Sequence, residues 1–455
     1  MKNSDDQIDF NFSRPIDFQK NLELYDFENI LKNLISISDK SLLFKKHLKL
    51  IIIELYYCWF ESEEQFLSVS MSKRGYHSKS RYNPNSISSF TIKIINFLKS
   101  EKLIDFFPGF FDSRNNVRRL SRIRASNTLK NEFEKINFND DSNINHKKRE
   151  YLIGMDLRNK RIEYVDNFRS HEIREVVRNY NNQIAKTFFD IPNLKDPFIN
   201  RSDNKKIVIS ELTSLSNFHF YENFETTQEI SGGWWDRFDI QSLGVYKEKL
   251  IINNNLTGFI DLLDCFFFYL SKTFEFKIES SDVNDLDYFN IDQKCYLIIK
   301  GINSKNFKSF FRSLSLEKKQ YFQEKEISSE NLKAILETFQ RKNSKLTLNF
   351  FKQKNIKWGR FVSAIFFELL KKIGDINVSL FLVKDKIYFP LDFGDIIASK
   401  IQKILENKLR LSKVDVKIQA CNPYDFKPKG FFGKIVSSKS NFSLRYLKRK
   451  NRYKI

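Results

Sequence analysis

The stretch "LIINNNLTGFIDLLDCFFFYL", Leu250 to Leu270, sets two short apolar runs on either side of Asn253, Asn254 and Asn255 and then passes into a run of aromatics. Apolar segments bounded by an asparagine cluster predict two strands, "KEKLII" and "GFIDLLD", joined as an antiparallel pair. Asp261 then stands at the end of an apolar strand, immediately before an expected helix, "CFFFYLSKTF". A carboxylate in such a place is costly unless it meets something positive.

A second acid has a comparable setting. In "INVSLFLVKDKIYFP" the segment Lys384-Asp385-Lys386 reads as a hairpin tip between two apolar strands. Between the two acids lie a basic helical region, "KNFKSFFRSLSLEKKQYF", and two further helices, "LKAILETFQRK" and "WGRFVSAIFFELLKKI". The order is strand with Asp, helices, hairpin with Asp, and it predicts an α+β fold with an antiparallel sheet and packed helices. Paired carboxylates can hold two divalent ions, one activating a hydroxyl and one holding a triphosphate. Two aspartates among 56 acidic residues also fit simple turn and strand-end roles.

Charge supplies a separate clue. The chain of 455 residues carries a formal charge of +21. Residues 1–40 hold 5 basic and 8 acidic side chains, residues 41–130 hold 16 and 7, and residues 405–455 hold 14 and 3. Two positive blocks predict a polyanionic partner, because cations that neutralise phosphates release counterions. A basic surface can also serve solubility alone.

The first block has a recognisable order. "SLLFKKHLKLIIIELYYCWF" shows helical spacing, and after the polar loop "MSKRGYHSKSRYNPNS" a second helix, "ISSFTIKIINFLKSEK", is expected with Ser86 as its N-cap. "LIDFFPGFFDSRNNVRRLSRIRAS" then reads as two strands around an arginine-rich turn. Helix, loop, helix and basic hairpin is the order of a winged-helix module. Lys73, Arg74, Lys79 and Arg81 lead into the second helix, and Arg114, Arg118, Arg119, Arg122 and Arg124 lie on or after the hairpin, so both sets are candidate phosphate contacts. The same module can instead serve protein contacts.

The expected layout is an acidic arm over 1–40, a winged-helix-like DNA-binding domain over 41–130, a polar linker over 131–150, a second domain over 151–415 and a basic tail over 416–455. In the second domain, "RSHEIREVVRNYNNQIAKTFF" predicts a helix with Ile173, Val176, Val177, Tyr180 and Ile184 on one face. "SGGWWDRF", Ser231 to Phe238, places two of 13 glycines beside two of four tryptophans and predicts a turn followed by two large anchors. "FGDIIASKIQKILENKLRL" reads as an amphipathic helix with Ile396, Ile397, Ile401, Ile404 and Leu405 inward. The tail "SLRYLKRKNRYKI" interleaves tyrosines with cations, suited to gripping a backbone and stacking on unpaired bases. The four scattered cysteines, with no C-x-x-C pair, argue for a reduced, cytoplasmic protein without structural zinc. No apolar leader opens the chain, and its most apolar runs are too short for a bilayer, so no membrane role is expected.

From about Leu42 to Asp392 the chain resembles a group of bacterial mobile-element and phage proteins in which a winged-helix-like segment precedes a palm similar to that of family A DNA polymerases. "GFFDSRNNVRRLSRIRASNTL", "RNKRIEYVDNFRSHEIREVVRNYNNQI" and the Gly-Gly-Trp-Trp element carry the likeness, together with "LIINNNLTGFIDLLD" and "VSLFLVKDKIYFP". The resemblance places Asp261 and Asp385 on the two metal-binding aspartates of the palm, with Mg²⁺ or Mn²⁺ as the implied ion. It makes Lys294, with Lys300 as an alternative, the candidate cation for the triphosphate, and Asn303 its neighbour in the nucleotide pocket. Trp234 and Trp235 become candidates for positioning a base or primer terminus, and Lys384 stands where the group has His. The chain departs from the group at Phe259, in place of an acid, and at Leu262 and Leu263, in place of a Tyr-Ser pair. The implied activity is template-dependent DNA synthesis on a primed template with dNTPs and duplex DNA as partners. RNA is left open, and so is a non-catalytic replication initiator with a decayed palm. Asp264, three residues after Asp261, is a further ligand candidate.

Overall fold

The computed structural model describes residues 8–22, 40–114, 117–135, 149–156, 160–192, 194, 198–201, 206–208, 217–221, 233–235, 249–275, 277, 289–321, 329–342, 344–352, 357–374, 376, 378–383, 385–421 and 431–432. Helices and strands are mixed along the chain, an α+β arrangement. The chain divides into two units, one of Met1–Thr257, Asn377–Ser379 and Cys421–Ile455 and one of Gly258–Ile376 and Leu380–Ala420. None of the described helices is long and apolar enough to cross a membrane.

The first unit is built around α1 (Leu42–Glu61). Ser41 caps it by accepting the Phe44 N–H at 3.2 Å, and the helix ends where the Ser62 N–H bonds the Cys58 carbonyl. Leu48, Ile51, Ile52, Ile53, Leu55 and Tyr57 are all buried, so the helix is apolar almost all round and must be covered on several sides. The cover comes from α2 (Thr91–Ser100), α3 (Asn127–Phe133) and a sheet of β1 (Ser13–Pro15), β2 (Phe66–Val69), β3 (Ile104–Phe107) and β6 (Ser121–Ala125) in the order β1-β2-β6-β3. β1 brings Arg14 to within 3.3 Å of Glu54, a carboxylate fully buried on α1. The acidic arm therefore supplies both a strand and the counter-charge of a core acid.

The expected helix–loop–helix–hairpin order is present, with two differences. Ser86 does not cap the second helix: it lies at φ 48° within a loop that Asn83 closes by accepting the Ile87 N–H and donating to the Ile87 carbonyl. The helix starts five residues later, at Thr91. The basic hairpin is not one strand pair but two in series. β3 and β6 pair inside the main sheet, while β4 (Phe110–Asp112) and β5 (Val117–Arg119) form a separate two-stranded extension. The break falls at Gly109, where any Cβ would lie 2.4 Å from the Arg119 carbonyl oxygen and 2.7 Å from the Ser121 nitrogen.

Beyond α3, residues 136–148 of the expected linker lie outside the described residues, but Arg149 and Glu150 are buried, and Arg149 pairs with Asp17 at 2.9 Å. β7 (Leu152–Met155) pairs antiparallel with β8 (Arg161–Ile162). The predicted helix appears as α4 (Phe168–Ala185), opened by an Asn167/Ser170 capping box, with Ile173, Val177, Tyr180 and Ile184 buried. β9 (Phe189–Asp190) follows, and β10 (Phe198–Arg201) pairs antiparallel with β11 (Lys206–Val208). β12 (Asn217–Tyr221) runs parallel to β7 and antiparallel to β13 (Gly233–Trp235). The Gly-Gly-Trp-Trp element is thus strand from Gly233 onward. β14 (Ile251–Ile252) pairs with β9 and with the start of β15 (Asn255–Asp261).

The second unit takes the remainder of β15, then α5 (Phe266–Phe274), α6 (Ile291–Asn303), α7 (Phe307–Tyr321), α8 (Ser329–Lys342), the short α9 (Ser344–Thr347), α10 (Trp358–Lys372), the hairpin β16 (Phe381–Val383) and β17 (Lys386–Pro390), α11 (Gly394–Leu409) and β18 (Ile418–Ala420). Strand order is β16-β17-β15, and β18 pairs antiparallel with Gly258–Ile260 of β15. α11 buries Ile397, Ile401, Ile404 and Leu405 as expected. Ile396 instead is 45% exposed, because it lies about 100° round the helix from Ile397.

His47 on α1 gives this core a pH dependence. Its Nδ1 lies 2.8 Å from the Leu43 carbonyl and its Nε2 accepts the Ser88 N–H at 3.0 Å, a pattern only the neutral ring satisfies. Burial pushes its pKa below the usual 6.5, the Leu43 bond opposing and Lys46 adding to the shift. The unfolded chain then binds a proton near pH 6.5 that the folded one refuses, so stability is full above that pH and falls as pH drops below it. Urea unfolding at pH 7.5 and pH 5.5 checks this: the midpoint drops more for the wild type than for His47→Gln, and equal drops would refute the assignment.

Candidate functional site

The candidate site sits where β15 ends and the β16–β17 hairpin turns. Asn253 and Asn254, at φ 48° and 67°, make the left-handed turn that starts β15, a conformation asparagine tolerates better than most residues. Gly258 lets the strand lie close under Leu391 and Phe389: a Cβ there would come within 2.9 Å of one and 3.0 Å of the other. Asp261 closes the strand and caps the 3₁₀ turn Leu262–Cys265, its Oδ1 accepting the Leu263 N–H at 3.0 Å. Leu262 and Leu263 are buried in that turn.

Val383 pairs with Lys386, so Asp385 lies in the turn between β16 and β17. The Leu262 N–H donates to the Asp385 carbonyl at 2.8 Å. This backbone bond brings the two predicted aspartates, 124 residues apart in the chain, to the same corner of the sheet.

Each carboxylate has a resident partner. Lys386 Nζ lies 3.3 Å from Asp261 Oδ2, and both side chains are largely shielded from solvent. The ammonium also rests over the Phe259 ring at 4.6 Å, and Phe259 stacks on Tyr388 at 5.3 Å. Phe259 therefore supports a cation. Asp385 Oδ1 accepts the Trp358 Nε1–H at 2.7 Å. That indole is fixed by Phe266, Tyr269 and Phe361, whose centroids lie within 5.2 Å to 5.4 Å of it.

Asp264 adds negative charge to the corner. Burial of its carboxyl holds its pKa above the ordinary range, and the Asp261 charge reinforces that, while Lys417 and Lys386 oppose it. Cys265 is no nucleophile, since burial followed by the Asp264 and Asp261 charges pushes its thiol up to about 12. Among the described residues no group of three or more His, Cys, Asp or Glu is placed to hold a metal ion. Mg²⁺ takes as few as one or two carboxylates from a protein, with water and phosphate completing its shell, so two aspartates are a sufficient donor set in kind.

The other predicted residues are distributed as follows. Lys294 and Asn303 lie in the first and last turns of α6, about 13 Å apart along the axis, so one small group cannot touch both. Lys300 is half-buried with its ammonium 5.2 Å from the Tyr296 ring centre, and burial lowers its pKa. Lys384 and the side chains of Trp234 and Trp235 lie outside the described residues. In the first unit Lys79, Arg114 and Arg118 are exposed. Arg119 lies over the rings of Phe10 and Phe110 and donates to the Pro108 carbonyl. Arg122 donates to the Phe10 and Leu120 carbonyls, and Arg124 pairs with Asp105 at 3.1 Å.

Arg81 belongs to a network invisible in sequence. It reaches Glu150 at 3.3 Å, Asp166 at 3.1 Å and Glu163 at 3.4 Å, and lies 3.6 Å over the Tyr164 ring. Arg174 joins from α4, bonding Glu150 at 2.9 Å as well as Asp166 and the Tyr164 hydroxyl. Burial alone would raise Asp166, but the Arg174 and Arg81 hydrogen bonds outweigh it and hold the carboxyl below its usual range.

No protein-family model matches the chain, and no curated protein matches it in sequence.

Trp358→Phe tests the indole–carboxylate bond, since it keeps an aromatic ring and removes the donor. Losing a hydrogen bond to a charged acceptor lowers stability by about 1.5 to 3 kcal/mol. Urea unfolding reads the change, and an unaltered midpoint shows that the bond adds nothing.

Proposed function

We propose that the chain is a nucleic-acid-binding protein with a divergent polymerase-like palm, catalysing template-dependent nucleotidyl transfer at Asp261 and Asp385. The single observation behind this reading is the backbone bond from Leu262 to Asp385, which joins the acid-bearing strand end to the acid-bearing hairpin turn. Asp261 and Asp385 would hold Mg²⁺ or Mn²⁺. When bound, the metal supplies charge neutralisation for a triphosphate and a more acidic primer hydroxyl. Trp358 fixes the Asp385 carboxylate, so its remaining oxygen keeps one direction. Lys294 and Lys300, both on α6, are the two candidate phosphate cations. The helix–helix–hairpin body of the first unit supports a winged-helix reading, with Lys79, Arg114 and Arg118 as its solvent-facing cations.

A second reading is favoured by one observation, the Lys386 ammonium on Asp261. A lysine already neutralising that carboxylate suits a palm kept for binding, in a DNA-binding replication protein without catalysis.

Primer extension decides between them. With Mn²⁺ or Mg²⁺ on a primed DNA template, the first reading expects dNTP incorporation, falling more than about 100-fold in Asp261→Asn/Asp385→Asn. Incorporation that survives the double substitution removes the mechanism. Tight DNA binding with no incorporation of dNTPs or NTPs under either metal supports the second reading.

A further inference from the structure

The β4–β5 extension has a feature that phosphate binding does not require. Register places Phe110 opposite Arg119 and Phe111 opposite Arg118. Side chains alternate across a strand, so the two pairs lie on opposite faces of the hairpin. On the Phe110–Arg119 face the arginine is turned to the body, its guanidinium 4.1 Å from the Phe10 ring centre and 5.0 Å from that of Phe110, which is itself 49% exposed. The Phe111–Arg118 face is left to water, with Phe111 66% exposed and Arg118 and the nearby Arg114 also exposed. The hairpin is braced at its base by Gly109, whose N–H donates to Ser121 Oγ at 3.0 Å and whose backbone packs against Arg119 and Ser121 with no room for a side chain.

We infer that Phe111 and Arg118 form a stacking platform for one unpaired nucleobase at a junction between duplex and single strand. The inference rests on the nucleic-acid reading above and names what the hairpin adds to it. A flat ring held on a short rigid ribbon presents one π-face at little entropic cost, and a base is the ligand whose face matches it. The neighbouring guanidiniums suit the phosphates on either side of that base. An apolar protein partner would not call for this charge. A lipid surface would accept both ring and cations, but Phe110, 49% exposed, and Phe111 lie on opposite faces of the ribbon, so any one face offers a single aromatic, too little for insertion on its own.

The test uses the full chain and compares anisotropy-derived Kd for a fluorescein-labelled blunt duplex with that for the same duplex bearing a short single-stranded overhang. The wild type is expected to prefer the overhang. Phe111→Ala should cost about tenfold on the overhang substrate and leave the blunt duplex unchanged, with Phe111→Trp restoring the preference. Arg118→Ala should weaken both substrates together and flatten the salt dependence. Being solvent-exposed, Phe111 can be replaced without loss of the fold. An overhang-to-blunt ratio that is unchanged in Phe111→Ala overturns the platform while leaving duplex binding, and the wider reading, intact. Failure of the wild type to bind either DNA at low salt overturns both. Phe111-dependent sedimentation with phosphatidylserine vesicles, without Phe111-dependent DNA binding, assigns the face to lipid and overturns the inference.

Discussion

The hydrogen bond from the Leu262 N–H to the Asp385 carbonyl is the constraint on which the candidate site depends. It is made by main-chain groups, so it fixes where Asp261 and Asp385 start and leaves their side chains to be set by neighbours. Those neighbours differ in kind. Trp358 gives Asp385 a neutral donor, which orients a carboxylate without cancelling its charge. Lys386 gives Asp261 a cation, which does cancel it. The two acids are thus adjacent in backbone and differ in the neighbours that hold them. Asp264 lies beside Asp261, its pKa raised first by burial and then by the Asp261 charge.

The parts of this arrangement legible in sequence were those encoded by neighbouring residues. Three consecutive asparagines between apolar runs announce a turn because asparagine accepts positive φ, and Asn253 and Asn254 adopt it. Lys384-Asp385-Lys386 between β-rich segments announces a hairpin tip, and the hairpin is there, although Lys386 belongs to its second strand, paired with Val383. The spacing of Ile173, Val176, Val177, Tyr180 and Ile184 announces the inner face of α4, and all of these but the half-buried Val176 are buried. Ser86 shows where local reading fails. Serine is a good cap in the abstract, but Asn83 captured the Ile87 backbone first and delayed the helix to Thr91. The split of the basic hairpin into two strand pairs was also hidden, since it follows from close backbone packing at Gly109 that no periodicity reports.

Charge was the least legible property. Arg81, Arg118, Arg122 and Arg124 look alike as letters in a basic block. In space Arg122 bonds carbonyls of its own unit, Arg124 pairs across β3 and β6, and only Arg118 of these four is exposed. Arg81 is turned inward by Glu150, Glu163 and Asp166, acids 69 to 85 residues further along the chain. A count of cations therefore overstates the field available to a ligand.

That same inward use of arginine shapes what the first unit can do. Arg81 and Arg174 share Glu150 and Asp166, and Tyr82 donates to the Ile162 carbonyl while accepting the Gly154 N–H. The polar loop before α2 is thereby fastened to β7, β8 and α4 by a partly buried network, where a charge left without its partner is expensive. A loop rich in Ser, Asn and Lys would otherwise be free to move with any ligand. Fastened in this way, it becomes a fixed floor beside α2, and adaptability is left to the exposed cations of the β4–β5 extension. On the nucleic-acid reading proposed above, such a rigid floor suits a duplex, whose regular backbone keeps a constant shape.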